Sequence, residues 1–299
     1  MVEIIVFIFL LLLGFIVNRR FPSQKAKEIL KNLIIFVGSP ILIIHSVLSQ
    51  GKIEFGLVAV IVVLSLVLNM VFSKIGNHIL KLKNRGPFLL LNSFANAAFL
   101  GLPLCWIVFG SQGLYYGSLY VVVGSLVQYS LGIAAALKEE KADWLSAIRN
   151  TFKFPAFWVY LVVLLILNLG ITLPAGIMDV FGSVGKIALY LIMVYVGLNL
   201  AKPENIKEFY QESLYVGVFR FLISPLIIFL PLFYLKIEGC QVLTFEAMMP
   251  PAIFNTIIAG YYQLNEKLCA NITSILTILF LLGFILIELI GKIGSFYLS

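Results

Sequence analysis

Asn92 and Asn96 stand four residues apart inside an apolar run that continues through Gly101 and Pro103. On a helix that spacing places both amides on one face, where each needs a partner or a wet cavity. A primary amide offers two N–H donors and a carbonyl acceptor, which suits holding a carboxylate, a hydroxyl or a cation rather than breaking a bond. Gly101 and Pro103 weaken or remove helical bonding where lipid offers no replacement. A broken, polar span of this kind points to the binding site of a transporter.

A second such stretch, Phe245-Glu246-Ala247-Met248-Met249-Pro250-Pro251-Ala252-Ile253-Phe254-Asn255-Thr256, lies in another apolar run. Two adjacent prolines in mid-span break a helix because neither nitrogen carries hydrogen. A displacement of 154 residues sets Asn96 opposite Pro250, Gly101 opposite Asn255 and Asn92 opposite Glu246. The plain alternative, a packing kink, suits one broken span better than two at matching positions. A broken helix exposes free N–H groups on one half and free C=O groups on the other, and its N-terminal end carries about half a positive charge. Two breaks meeting near the midplane would hold an anion without a buried basic residue. The spans around them are read as lacking a central basic residue, with Asn92, Asn96 and Asn255 as amide donors.

The elements that position these residues are membrane spans. The chain has 299 residues, of which 61% are hydrophobic and 12% charged, against about 25% charged in soluble domains. Its mean hydropathy is +1.06. Ten apolar runs are near the length of a membrane crossing: 2–18, 29–49, 55–73, 87–109, 113–137, 154–170, 175–201, 209–235, 243–262 and 267–291. No segment remains for a soluble catalytic domain. Of the 21 Lys and Arg, 16 fall in odd-numbered loops, which places those loops in the cytoplasm and both termini outside. The first run lacks the basic leader of a cleaved signal peptide. The net charge of +7 follows from this topology, and no basic, aromatic-studded face for nucleic acid is present.

Other polar residues have roles of their own to weigh. Glu246 precedes Pro250 by one turn and, if buried, would bind a proton or help hold sodium; its plainer reading is an interfacial carboxylate at a helix start. Gln128 in the fifth span is a second candidate for ion coupling, with an interhelical hydrogen bond as the plainer reading. His45 follows a Gly38-Ser39-Pro40 break in the second span and reads as a packing histidine. Asp179 belongs to an amphipathic start of the seventh span, and Arg220 reads as a snorkelling residue near an interface. Cys105, Cys240 and Cys269 have no metal-ligand spacing and read as small packing residues. The sequon at Asn271 lies in an apolar run and is a chance match. Gly182 to Lys186 is too short for a phosphate-binding loop, and no hydrolase or metalloprotease motif occurs, which argues against an enzyme. A sodium/proton antiporter should carry Asp in mid-span five, and residues 115–137 hold none.

The run Asn92 to Leu104, Asn-x-x-x-Asn followed by Gly-x-Pro-Leu, resembles the fourth-span signature of the auxin efflux carrier family. Met249-Pro250-Pro251 with Ala259-Gly260-Tyr261-Tyr262, and Val196-Gly197-Leu198-Asn199-Leu200, are similar to further family patterns. The likeness covers the whole chain in span number and loop lengths. It implies an all-α polytopic fold of ten transmembrane helices in two inverted five-helix repeats, shared with bile acid/sodium symporters. The first repeat would be 1–137, joined by a cytoplasmic linker at 138–153 to the second at 154–299. Spans 1, 2, 6 and 7 would form a scaffold, and spans 3–5 and 8–10 a mobile core with broken spans 4 and 9 crossing. The implied function is a secondary transporter or facilitator of small organic anions, carboxylates such as malate or malonate, by alternating access. The substrate-binding set is Asn92, Asn96, Gly101, Pro103, Pro250, Pro251 and Asn255, with Glu246 and Gln128 for ion coupling. No cofactor or metal is expected beyond sodium or a proton as coupling ion. The setting is a prokaryotic cytoplasmic membrane, and a homodimer stays open. Plant members carry Pro where this chain has Ala95, so the fourth-span break is expected to rest on Asn96 and Gly101. An ion exchanger of the same architecture and a non-transporting membrane sensor are the alternatives.

Overall fold

Long runs of Leu, Ile, Val and Phe have no water to satisfy their backbone in a bilayer, so they close their hydrogen bonds within helices. The computed structural model describes residues 2–49, 55–140, 173–200 and 209–297, with a few positions between 158 and 169. Among the described residues every regular element is helical. The linker at 138–153 and the sixth span at 154–170 fall largely outside them.

Helix α1 is Val2–Arg20. The second span is continuous: α2 (Gln24–Leu33), a π turn (Ile34–Gly38) and α3 (Ser39–Leu48). The expected break at Gly38-Ser39-Pro40 is therefore absent. The wide turn absorbs the missing Pro40 donor, with Ser39 N–H bonding Ile34 O. Helix α4 is Phe55–Ile79, and α5 is Arg85–Ser93. After a gap, a π turn (Ala97–Gly101) leads into α6 (Leu102–Val127), a further π turn (Gln128–Gly132) and α7 (Ile133–Glu139). Gly110, at φ 62° and ψ −138°, kinks α6 where the fourth and fifth spans meet. The seventh span is α8 (Ala175–Asn199). The eighth is α9 (Tyr210–Val218), a π turn (Phe219–Ile223) and α10 (Ser224–Tyr234). The ninth is split into α11 (Cys240–Ala247) and α12 (Ile253–Tyr261), and α13 is Glu266–Tyr297.

Six helical stretches among the described residues are long and apolar enough to cross a membrane, one of them, Ala97–Glu139, long enough for two crossings. Large apolar side chains such as Leu64, Leu226, Leu230 and Phe233 stand exposed on the outer helix faces, as a lipid-facing surface requires. The molecule is a polytopic membrane protein.

Two packing groups are visible. In one, α8 lies against α1 and α3. Its closest approach is at Gly14 and Gly197, where a Cβ would collide with the backbone of Val194 and Leu11 respectively; small residues let membrane helices approach this closely. In the other, α4 packs on α5, α6 and α10, and α11 packs on α6 and α10. Helices α3 and α6 join the two groups.

Candidate functional site at the paired breaks

The two interrupted spans meet backbone to backbone. Phe94 is extended at φ −116° and ψ 115°, and Pro250 and Pro251 are likewise non-helical. Ala95 and Pro251 form an isolated antiparallel bridge. Asn96 N–H donates to Pro250 O at 2.8 Å, and Ala252 N–H donates to Phe94 O at 3.0 Å. The residues set opposite each other by the 154-residue displacement, Asn96 and Pro250, are thus hydrogen-bonded. Each break satisfies part of the other's freed backbone.

The breaks place four half-helix ends together. Helices α5 and α11 end here, while the π turn leading into α6 and helix α12 begin here. The starting ends face a cavity of about 40 Å³ lined by Ala97, Ala98, Phe99, Ala252 and Phe254. The first N–H groups of a helix lack intrahelical partners. Asn96 lines the same cavity; it is 1% exposed, and neither atom of its amide has a hydrogen-bond partner. Gln128, Tyr120 and Ser125 also line the cavity.

Asn92 is elsewhere. The extended residues after Ser93 destroy the shared helical face that its spacing from Asn96 implies. Its Nδ2 donates to Ser73 Oγ at 2.9 Å and to Tyr215 OH at 3.2 Å, so it ties α5 to α4 and α9. Asn255 is fully buried; it donates to Leu90 O at 3.1 Å and Phe94 O at 3.2 Å and accepts from Gln128 Nε2 at 2.7 Å. It braces the end of α5, and Gln128 makes the interhelical bond of its plainer reading. Pro250 and Pro251 form the second break itself. Pro103 follows the π turn inside the helical stretch Ala97–Glu139, and the wide turn absorbs its missing donor as at Pro40, with Leu102 N–H bonding Ala97 O. Gly101 lies within the π turn rather than at the break. A Cβ there would overlap Glu246 Oε2.

Glu246 is not at a helix start: it lies in the last turn of α11 and is fully buried. Its Oε1 accepts from Cys105 Sγ at 3.2 Å, and Oε2 has no partner. Gly101 and Gly117 make room for the carboxyl group. Cys105 is therefore a polar contact, beyond the packing role expected of it.

Arg220 overturns two expectations, that it snorkels and that the spans around the breaks lack a basic residue. It is fully buried. Nε donates to Met249 O at 3.1 Å; Nη1 to Asn92 O at 3.0 Å and Ser224 Oγ at 3.1 Å; Nη2 to Ala247 O at 2.6 Å and Met249 O at 2.9 Å. All five guanidinium N–H groups are engaged. Three of the acceptors are main-chain carbonyls at the ends of α5 and α11. A guanidinium is less strongly hydrated than an ammonium and fits a fork of acceptors, which suits it to this burial. Hydropathy carries no trace of this, because the acceptors are created by breaks far away in sequence.

A second, larger cavity of about 400 Å³ has Lys27, Lys31, Glu266, Tyr195, Asn199 and Ile253 among its lining residues. Phe99, from the wall of the small cavity, pairs with Tyr195, from the wall of the large one, with ring centroids 5.0 Å apart. His45 is half-buried against Gly182, and Asp179 is exposed near the start of α8.

A family model described as "Membrane transport protein" matches residues 1–287. The chain belongs to that family, the auxin efflux carrier or PIN-like family. The transporter is 27% identical over 261 residues to an uncharacterized transporter of Methanocaldococcus jannaschii, covering 83% of this chain and 84% of that one. An uncharacterized transporter of Methanothermobacter thermautotrophicus is 28% identical over 191 residues, 63% of this chain and 62% of its own length. The protein is a membrane transporter by family, not an enzyme.

Proposed function

We propose that the transporter carries small organic anions, carboxylates of the size of malate or malonate, by alternating access at the paired breaks. One observation carries this reading. The two half-helix starts converge on a buried cavity that holds the unengaged amide of Asn96, while Arg220 covers carbonyls of the two half-helix ends. Each helix start contributes about half a positive charge. With the opposing ends neutralised, the field in the cavity favours an anion, and the Asn96 Nδ2 supplies an oriented donor.

In this reading residues 1–137 and 154–299 are two five-span repeats of opposite orientation, and the group containing α4–α7 and α9–α13 moves against the group of α1, α3 and α8. The cavity of about 40 Å³ has room for about three or four waters on the scale of 10–15 Å³ each, which suits a closed state that must widen around a substrate. The larger cavity, walled by Lys27 and Lys31 of the basic helix α2, suits a cytoplasmic approach, with the Phe99–Tyr195 pair as the partition. The charge distribution favours a cytoplasmic membrane with both termini outside. Glu246 is the candidate for proton coupling.

The test is flux in proteoliposomes holding the purified protein, with malate, malonate, lactate, pyruvate and indole-acetate under imposed proton, sodium or voltage gradients. Saturable carboxylate flux, lost in Asn96→Ala with folding intact, is the expected result. Binding of an acid with no flux would favour a sensor, and unchanged affinity in Asn96→Ala would remove the site assignment.

A further inference from the structure

We propose that Arg220 is a resident cation, occupying in covalent form the oxygen cage that a sodium ion would otherwise fill at the paired breaks. The cage consists of Asn92 O, Ala247 O, Met249 O and Ser224 Oγ, all hydrogen-bonded to the guanidinium at 2.6–3.1 Å. Ser224 Oγ is itself fixed by Asn69 Nδ2 at 2.9 Å and leans towards Ala247 O at 3.4 Å. Unwound carbonyls and half-helix C-termini of this kind are the ligands by which secondary transporters hold sodium. Three neutral carbonyls and a hydroxyl also match the oxygen donors preferred by a hard cation.

The charge balance supports the assignment. Among the described residues no carboxylate lies within 4.0 Å of Arg220. A buried charge without a partner is costly, yet two helix C-termini at about half a negative charge each add up to the missing counter-charge. The pocket is thus organised for one positive charge and already contains it. A sodium ion would meet both an occupied cage and a repelling guanidinium. Arg220 is a positioning residue: none of the hydrogen bonds that hold it in the cage goes to a residue that lines the cavity.

Two consequences follow. The native protein is indifferent to sodium at this place, which leaves coupling to another group. Removal of the guanidinium turns the cage into a sodium site, with a water or two making up the lost volume. The inference takes its meaning in transport from the carrier reading, but its test needs no substrate, so failure of one is distinguishable from failure of the other.

The experiment compares melting of the purified full-length protein in sodium, potassium and choline chloride at equal ionic strength. The native protein is expected to melt at one temperature in all three. Arg220→Ala is expected to melt lower in potassium and choline and to regain about 4 °C in sodium. Arg220→Lys keeps the charge and should stay insensitive to sodium. Where Arg220→Ala is not recovered folded, Arg220→Gln, which keeps two donors and loses the charge, takes its place. Sodium-specific stabilisation of the native protein overturns the proposal. So does a neutral variant whose melting is the same in sodium as in potassium.

Discussion

The carboxyl group of Glu246 lies against Gly101 so closely that a Cβ at position 101 would stand 2.6 Å from Cδ and 2.8 Å from Oε1, and would overlap Oε2. Glu246 belongs to α11, before the second break, and Gly101 to the π turn after the first. The two breaks are therefore locked by side-chain fit as well as by the Asn96–Pro250 backbone bond. Any shift of α11 along α6 has to carry this contact with it.

Gly101→Ala forces the Glu246 carboxyl out of its slot. Overpacking of this kind costs about 1–3 kcal/mol, so the variant should melt several degrees below the native protein. Because the collision is with one side chain, Glu246→Ala should relieve it. A double-mutant cycle on melting is expected to show that Gly101→Ala costs less in the Glu246→Ala background. Equal costs in both backgrounds would mean that the backbone, not Glu246, excludes a methyl group at 101.

Asn255 and Asn96 are both buried amides, yet substitution should separate them. Asn255 accepts from Gln128 and donates to Leu90 O and Phe94 O. Leu90 O and Phe94 O keep backbone donors without it, but Gln128 Nε2 does not keep its bond. Asn255→Ala should therefore cost about 2 kcal/mol, the scale of a buried polar group left unpaired. The side-chain amide of Asn96 engages no partner, and replacing an unpaired buried polar group by an apolar one is neutral or stabilising. Asn96→Ala should match or exceed native melting while losing substrate binding. Equal destabilisation by both variants would identify Asn96 as structural.

These contrasts mark what the sequence could and could not reveal. Pro250-Pro251 announces its break through the loss of two donors, and the polar density around Asn96 announces the other. Which amide faces the cavity was hidden, because helical spacing joins Asn92 to Asn96 only while the helix persists, and it stops at Ser93. Arg220 was hidden for a related reason. One Arg near the start of an apolar run reads as interfacial, and its acceptors at Asn92, Ala247 and Met249 exist only once two remote segments are unwound beside it. Gly101 reads as a breaker in sequence, which shows the absence of a side chain but not what occupies the vacated space.

Phe99 lines the small cavity and Tyr195 the large one, and their rings pair at 5.0 Å; in the proposed reading this pair is the partition. Phe99→Ala should join the two cavities and open Asn96 to the side of Lys27 and Lys31. With Asn96→Cys as a reporter, a water-soluble thiol reagent should label position 96 faster when Phe99 is Ala than when it is Phe, with mass spectrometry locating the adduct. An unchanged labelling rate would place the partition elsewhere.

Glu246 offers the last prediction, on coupling. Its Oε2 is buried and without a partner, and its Oε1 accepts only the weak donor Cys105 Sγ. Among the described residues no cation lies within 4.0 Å of it. In the proposed reading, a carboxyl group in this position takes up or releases a proton as the paired breaks change exposure. Glutamine keeps the shape and cannot change charge. If the proton that drives uptake rides on Glu246, Glu246→Gln should abolish accumulation under an inward proton gradient. Exchange of labelled for unlabelled substrate at equal pH should persist, because exchange needs no net proton movement. Accumulation that survives in Glu246→Gln would remove Glu246 from coupling. Loss of exchange together with accumulation would instead assign it to holding α11 against Gly101.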